Sequence, residues 1–292
     1  MLKNVALLTT LTPSEENKRI EEEVCALGYN FKLVNLEPFS FKIENNKLQV
    51  TQLENLDSGI VIVRGIFNAI KSILAVVGDM RKIGVRVFDD KLLSHPYSID
   101  KVTDLVKLSL AGIPTPDTYY SRSFDEYSAL AAGAGYPLVI KSARSGRGAG
   151  VFKVDSQFEL TDLVDRLKSE EKDAKGYLIQ KFVPYAYDLR ILIIGTQLFA
   201  MRRIPGEGEF RANFSLGGKV EPFDLDEAGK KMALDALNAI DMSVGGVDML
   251  ITEDNKRYIL EVNHTAGFVG MEEATGENIA KIYVEHAISN AQ

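Results

Sequence analysis

The chain has 292 residues, room for about two domains and for a core that needs no disulfide or metal staple. Hydrophobic residues make up 46% and charged residues 26%, and no apolar run approaches the ~20 residues of a membrane span, which excludes membrane-embedded and disordered classes. The net charge of −7 argues against a nucleic-acid or anionic-membrane partner, and one cysteine with three histidines builds neither an internal disulfide nor a Cys/His metal cluster, so any metal must be held by oxygen.

The first segment, NVALLTT, reads as a strand, and Ser14 and Asn17 bracket the start of a polar helix that Gly28 stops. Strand FKLVNL follows. GIVIVRG, over 59–65, is a continuous apolar run of the kind buried on both faces, and the helix NAIKSILAVVGDMRKIG with strand VRVFD completes a β-α-β rhythm. Together these predict a small doubly wound sheet ending near Asp90, a first lobe spanning residues 1–92. The opening residues are too short an apolar stretch, with too many charges after it, for a signal peptide, so the expected location is cytoplasmic. Cys25, beside Val24, reads as a small core residue.

Next, IDKVTDLVKLSLAG predicts a helix that the prolines of IPTPDTYY end, with a linker after it. Strands YPLVIKSA and GVFKV flank RSGRGA, and the helix SQFELTDLVDRLKSEEK follows. Strands YLIQKFV, LRILIIG and LFAMRRI, the helix LDEAGKKMALDALNAIDM, and strands GGVDMLI and YILEVN complete the pattern. The class is α/β followed by mixed α+β, without internal repeats.

Three groups of residues carry chemistry. Gly146, Gly148 and Gly150 lie between two strands, with Lys141 at the end of the first, so backbone N–H groups there could close over an anion. No helix follows, which excludes a P-loop; a flexible hairpin fits the same glycines. In GGVDMLITEDNKRYILEVN, a hairpin symmetric about Asp254 and Asn255 puts Asp248 opposite Glu261, and alternation puts Asn263 on the same face. Such a set suits a hard cation such as Mg²⁺; the plainer reading, an acid facing water, fits the apolar YILEV context less well. Arg202, Arg203 and Arg211 form a basic group that could neutralise a transferred phosphoryl group or simply cover a solvated strand end. Of Arg202 and Arg203, alternation lets at most one face the site. His95, His264 and His286 form no ligand spacing.

In order, Lys101, VIKSARSGRGAGV, LIQKFV, YDLR, AMRR, FRANFSLGG, GVDML and ILEVNHTAGFVGMEEATGENIA resemble the ATP-grasp superfamily, specifically its RimK-like ligases, along essentially the whole chain. The resemblance implies an ATP-grasp fold of three lobes, splitting the second unit into 93–175, with the glycine loop, and 176–292, with hinge and metal residues. It implies that Lys101 and Lys141 contact ATP phosphates beneath the 146–150 loop. Gln180, Lys181, Phe182 and Val183 would form a hinge touching adenine through its main chain, with Asp188 nearby on the nucleotide. Arg203, Arg211 and Asn213 would line the reaction centre, the last two also reaching the nucleotide, and Asp248, Glu261 and Asn263 would hold two divalent cations, Mg²⁺ or Mn²⁺.

The implied activity is an ADP-forming carboxylate–amine ligation through an acyl phosphate. One partner would be an amino acid such as glutamate, the other a peptide, protein, carrier protein or small acid, and relatives of this kind commonly form homo-oligomers. Two departures stand out: Lys181 replaces the usual acidic hinge residue, and Leu216 stands where many relatives have arginine. EVNHT is similar to ligases that act on a carrier protein and GFVGMEEATG to the ribosomal-protein glutamate ligase, so the substrate class stays open. A nucleotide-binding regulator without turnover and an ATP-grasp enzyme of different chemistry are the competing readings.

Overall fold

The apolar run of β1 (Asn4–Thr9) serves two cores at once in the structure, a computed structural model that describes residues 4–54, 56–57, 59–66, 70–89, 100–143, 150–170, 173–205 and 219–292. Val5 and Leu7 belong to one core with Ile20 and Val24 of α1 (Glu15–Ala26). Ala6 and Leu8 belong to another with Ile73, Leu74 and Val77 of α2 (Ile70–Lys82). Burial on both faces is what a parallel sheet between helices requires. Its strands run in the order β2 (Asn30–Asn35), β1, β5 (Ile60–Val63), β6 (Arg86–Phe88), all parallel. Cys25 is exposed rather than core, because the buried stripe of α1 runs through Ile20 and Val24 and the next residue turns about 100° away.

Between β2 and β5 an antiparallel hairpin, β3 (Phe41–Glu44) and β4 (Lys47–Val50), was not anticipated. Its turn residues Asn45 and Asn46 both have positive φ, 51° and 62°, the conformation a two-residue hairpin turn demands and asparagine tolerates.

Helix α3 (Lys101–Leu110) starts where the Asp100 carboxylate accepts the Thr103 N–H at 2.9 Å. The expected linker after it is pinned: the Pro114 carbonyl accepts the Ile259 N–H (2.8 Å), and β7 (Thr118–Tyr119) joins the second sheet. That sheet runs β7, β10 (Tyr177–Lys181), β8 (Leu138–Ser142), β9 (Val151–Val154), all antiparallel. It packs on α5 (Gln157–Glu170) and on α4 (Tyr127–Ala134), whose alanine- and glycine-rich sequence has too weak an apolar face to be read as a helix.

The third sheet runs β13 (Lys219–Pro222), β12 (Gln197–Ile204), β11 (Tyr187–Ile194), β14 (Val244–Ile251), β15 (Arg257–Asn263), again antiparallel. One face rests on α3 and α6 (Glu227–Ala239). The other packs toward α7 (Val269–Thr275) and α8 (Ile279–Asn290), and α8 also covers β1 and β5 of the first sheet. Gln292 completes this return, exchanging hydrogen bonds of 2.8 and 3.0 Å with Val87 of β6.

Tyr127 is among the most deeply buried side chains, and its hydroxyl has no hydrogen-bond partner among the described residues; burial pushes its pKa up. Removing an unsatisfied buried hydroxyl relieves its desolvation cost. Tyr127→Phe should therefore raise unfolding free energy by about 1 kcal/mol, read as a later denaturant midpoint with unchanged slope.

Candidate active site

Alternation along β11 decides what the third sheet offers. Leu189, Ile191 and Ile193 enter the core over α6, so Asp188 and Arg190 share the opposite face with Leu192 and Ile194. That face is apolar at one end, packed with Phe268 and Tyr283, and charged at the other. In the ladders Asp188 pairs with Arg203 of β12 and Arg190 with Asp248 of β14. Arg202 takes the far face, its guanidinium 5.0 Å from the centre of the Tyr187 ring, so a single member of the arginine pair enters.

The β14–β15 hairpin reaches the anticipated pairing by a different route. Ile251 pairs with Arg257 and Met249 with Ile259, a ladder centred on Asp254 alone. A bulge then skips Leu260 and brings Asp248 opposite Glu261 and Gly246 opposite Asn263. Without the bulge, Leu260 would face Asp248. Gly246 is also a packing requirement: a Cβ there would lie 2.7 Å from Ala266 Cβ and 3.1 Å from Arg190 Nη1.

Charges interlock on this face. Arg203 donates from Nε to Asp188 Oδ1 (2.8 Å) and from Nη1 to Asp248 Oδ2 (3.3 Å), and its Nη2 also bonds Asp188. Arg190 Nη2 reaches Asp248 Oδ2 at 3.1 Å, while its Nε makes ion contact with Oδ1 without hydrogen-bond alignment. Lys101 Nζ lies 3.0 Å from Glu261 Oε2. Asn263 Nδ2 donates to Glu261 Oε1 (3.2 Å) and to the Gly246 carbonyl (3.4 Å), which turns its own carbonyl oxygen away from both. From the second sheet, Lys141 donates to Gln180 Oε1 (2.6 Å), and Gln180 Nε2 donates to Thr118 Oγ1 (3.0 Å).

Burial sets the electrostatics and the partners decide its direction. Burial alone would push Glu261 up, but Lys101, Lys141 and Arg190 outweigh it and hold the carboxyl down at about 2. Burial pushes Lys141 down to about 8, aided by Lys101 and resisted by Glu261, Asp248 and Asp188. Asp188 is raised by burial and by Asp248, against the pull of Arg203. Arg203 itself is raised, since the two carboxylates more than offset its burial.

The structure thus brings together Lys101, Lys141, Gln180, Asp188, Arg203, Asp248, Glu261 and Asn263. The side chain of Lys181 does not join them. Its ammonium bonds the carbonyls of Ala134 (3.1 Å), Gly135 (2.7 Å) and Tyr136 (3.4 Å) and caps α4, work an acidic residue cannot do. At the expected hinge the Lys181 N–H donates to Asp117 O (2.8 Å) and the Phe182 N–H to Pro137 O (3.1 Å), whereas the Val183 N–H has no partner among the described residues. Gly150, at φ +69°, accepts the Ser142 N–H at 2.7 Å. Gly146, Gly148, Arg211 and Asn213 lie outside the described residues.

Two participants went unread. Arg190 stands two residues after Asp188, so period two already put it on the same face. His264 Nε2 lies 2.8 Å from Asp104 Oδ2, tying the end of β15 to α3 one turn beyond Lys101; with 160 residues between them, no local pattern signals the pair.

Residues 98–287, most of the chain, match the RimK-like ATP-grasp domain. The chain belongs to the RimK-like ATP-grasp family. Among its RimK-like relatives, beta-citrylglutamate synthase B of Danio rerio is 30% identical over 226 residues, 74% of this chain and 54% of that protein. The chain therefore spans about half the length of this relative. A probable alpha-L-glutamate ligase of Legionella pneumophila (strain Corby) is 28% identical over 297 residues, covering 99% of this chain and 96% of that one. The ATP-grasp ligase PsnB, solved with a phosphomimetic variant of its minimal precursor, Mg and ADP, matches with a TM-score of 0.75 over 100% of both chains at 17% identity, which establishes the ATP-grasp fold here. Among the described residues no helix is long and apolar enough to cross a membrane.

Lys141 should titrate near pH 8 in a side-chain NMR titration. Its folded-state pKa lies below the ordinary lysine value of 10.5, so the burial penalty is complete below pH 8 and fades as pH rises toward 10.5. Glu261→Gln removes the strongest attraction holding that proton and should move the midpoint lower still.

Proposed function

We propose that the chain is a cytoplasmic, ADP-forming carboxylate–amine ligase that joins an amino acid of the glutamate type to a carboxylate on a peptide, carrier or small acid. The observation that carries this reading is the convergence of Lys101, Lys141 and Arg203 with Asp248, Glu261 and Asn263, from two sheets and a helix, at one place. The relatives' names, a citrylglutamate synthase and a glutamate ligase, support glutamate as one partner, and the Mg and ADP bound by PsnB support the nucleotide.

A carboxylate is a poor electrophile, so the reaction must activate it before an amine can attack. In-line transfer of the γ-phosphoryl group gives an acyl phosphate; the amine adds to its carbonyl, and phosphate leaves as the amide forms. Lys101 and Lys141 would take phosphate oxygens beneath the 146–150 loop, exchanging Glu261 and Gln180 for them. The Val183 N–H is the hinge donor left for adenine. Arg203, held in place by Asp188, would neutralise charge on the phosphoryl group in transit, with Arg211 and Asn213 completing the reaction centre.

Asp248, Glu261 and Asn263 would hold two Mg²⁺ ions, for which Mn²⁺ could substitute. The donor chemistry fits: two carboxylates paired across β14 and β15, with a carboxamide on the same face, are hard oxygen ligands. Such a short protein set suits Mg²⁺, which keeps several waters and shares phosphate oxygens. When bound, the ions draw charge from the phosphate oxygens.

Incubation with Mg-ATP, L-glutamate and a panel of acids and peptides should release ADP, and hydroxylamine in place of the amine should trap an acyl hydroxamate. Glu261→Gln and Asp248→Asn should each lower amine-dependent ADP release by more than about 100-fold, with the fold retained by circular dichroism. Full activity in either variant would sink the metal assignment. ATP binding with no ADP across the panel would favour a regulatory nucleotide binder.

A further inference from the structure

Arg64 follows the last residue of β5 and is only 7% exposed, yet among the described residues no carboxylate lies within ion-pair distance of it. Its contacts are the Ala266 carbonyl, 2.8 Å from Nη2, and the Phe268 ring, whose centre is 5.6 Å from Cζ. The backbone is firmly set. The Arg64 N–H donates to Leu8 O (3.0 Å), and Gly65, at φ +65°, passes so close to Leu11 that a Cβ would come within 2.4 Å of its Cδ1. The Gly65 carbonyl accepts from both the N–H (3.0 Å) and the hydroxyl (2.6 Å) of Thr10. A buried cation without a counter-charge is costly, so a fold that positions one this firmly has a use for its charge.

Arg64 lines a cavity of about 30 Å³ together with Asp89, His264, Thr265, Phe268 and Tyr283. That volume takes about two water-sized groups, the two oxygens of one carboxylate. Asp89 is committed to Arg81 at 2.8 Å. His264 has a side chain 10% exposed, and its buried Nδ1 has no hydrogen-bond partner among the described residues. In the tautomer whose Nε2–H donates to Asp104, Nδ1 would offer a lone pair to an N–H on the same ligand. Leu192 and Ile194 also line the cavity, so it lies at the apolar end of the β11 face whose other end carries Asp188 and Arg190, and His264 directly follows Asn263.

We propose that this cavity anchors a non-reacting carboxylate of the amino-acid substrate, gripped by Arg64. The proposal rests on the ligase reading and locates its substrate. The space holds no phosphoryl group beside a carboxylate, so the carboxylate bound there is not the one activated. The α-carboxylate and the side-chain carboxylate of glutamate share the required chemistry.

The test is calorimetric binding of L-glutamate, L-glutamine and L-isoglutamine to the full chain with Mg-ADP present, alongside Arg64→Gln and Arg64→Lys. Wild type should bind glutamate saturably, Arg64→Gln should bind it at least tenfold more weakly, and Arg64→Lys should fall between. One of the two amides should bind wild type as weakly as glutamate binds Arg64→Gln and lose nothing further in that variant, identifying the anchored carboxylate. Mg-ATP affinity should be unchanged. No saturable glutamate binding, two amides binding as tightly as glutamate, a change under twofold in Arg64→Gln, or an equal loss of Mg-ATP affinity would each overturn the proposal. The amide comparison on wild type decides the matter even if Arg64→Gln does not fold. Arg64-dependent glutamate binding without ADP release under any condition would retire the ligase reading and leave the anchor standing; amine-dependent ADP release with an Arg64-independent KM for glutamate would do the reverse.

Discussion

Asp188, Asp248 and Glu261 sit inside the protein against Arg190, Arg203, Lys101 and Lys141, and these cations hold the Glu261 carboxyl well below its ordinary range despite its burial. An ion buried alone costs several kcal/mol, and removing one partner of a buried pair costs about 3–5 kcal/mol. The charges are therefore held as an interdependent set, with each arginine or lysine against a carboxylate or an amide oxygen. Mg-ATP carries both signs. Its cations would replace arginine and lysine at the carboxylates, and its phosphates would replace carboxylates at the lysines. On the proposed function this exchange would swap partners within a region already removed from water, so nucleotide binding would not again have to strip water from these side chains.

That arrangement depends on strand geometry more than on any one residue. Period two places Asp188 and Arg190 on one face of β11, Arg203 on the same face of β12, and Asp248 beside them on β14. The fourth strand would miss. Measured from the turn, Leu260 falls opposite Asp248, and the bulge exchanges an apolar side chain for Glu261. A bulge is a device for re-aiming a side chain, and here it adds the third carboxylate of the set.

Strands and helices with strong periodicity were legible from the residues alone, and so was the opposition of Asp248 and Glu261, although through a symmetric turn the chain does not have. What escaped depends on long-range contact or weak pattern. The hairpin around Asn45 and Asn46 carries its signal in the turn, and Phe41, Ile43 and Leu48 are exposed, so burial does not shape it. The His264–Asp104 pair and the capping of α4 by Lys181 join residues distant in sequence. Lys181 is instructive because a residue departing from the expected hinge pattern finds its reason at the end of α4. Arg64 was passed over as the end of an apolar strand, since a lone arginine after a strand ordinarily faces water.

The cores show how the pieces are mounted. The first and third sheets share one hydrophobic cluster through Leu192, Ile194, Phe268 and the α8 residues beneath β1 and β5. The second sheet has a cluster drawn from residues between Tyr119 and Ile179, with Leu178 alone reaching the core beneath the third sheet. Lys101 and the carboxylates thus stand on one packed body, and Lys141 is presented from another. Were these residues to cage phosphates as proposed, moving the second sheet would open the cage while the ladder pairings of Asp188, Arg203, Asp248 and Glu261 stayed intact. Arg64 belongs to the same body as the carboxylates: its contacts to Ala266 and Phe268 tie the first sheet to the segment between β15 and α7, and an amino acid anchored there would keep its place while the nucleotide of the proposed reaction enters and leaves.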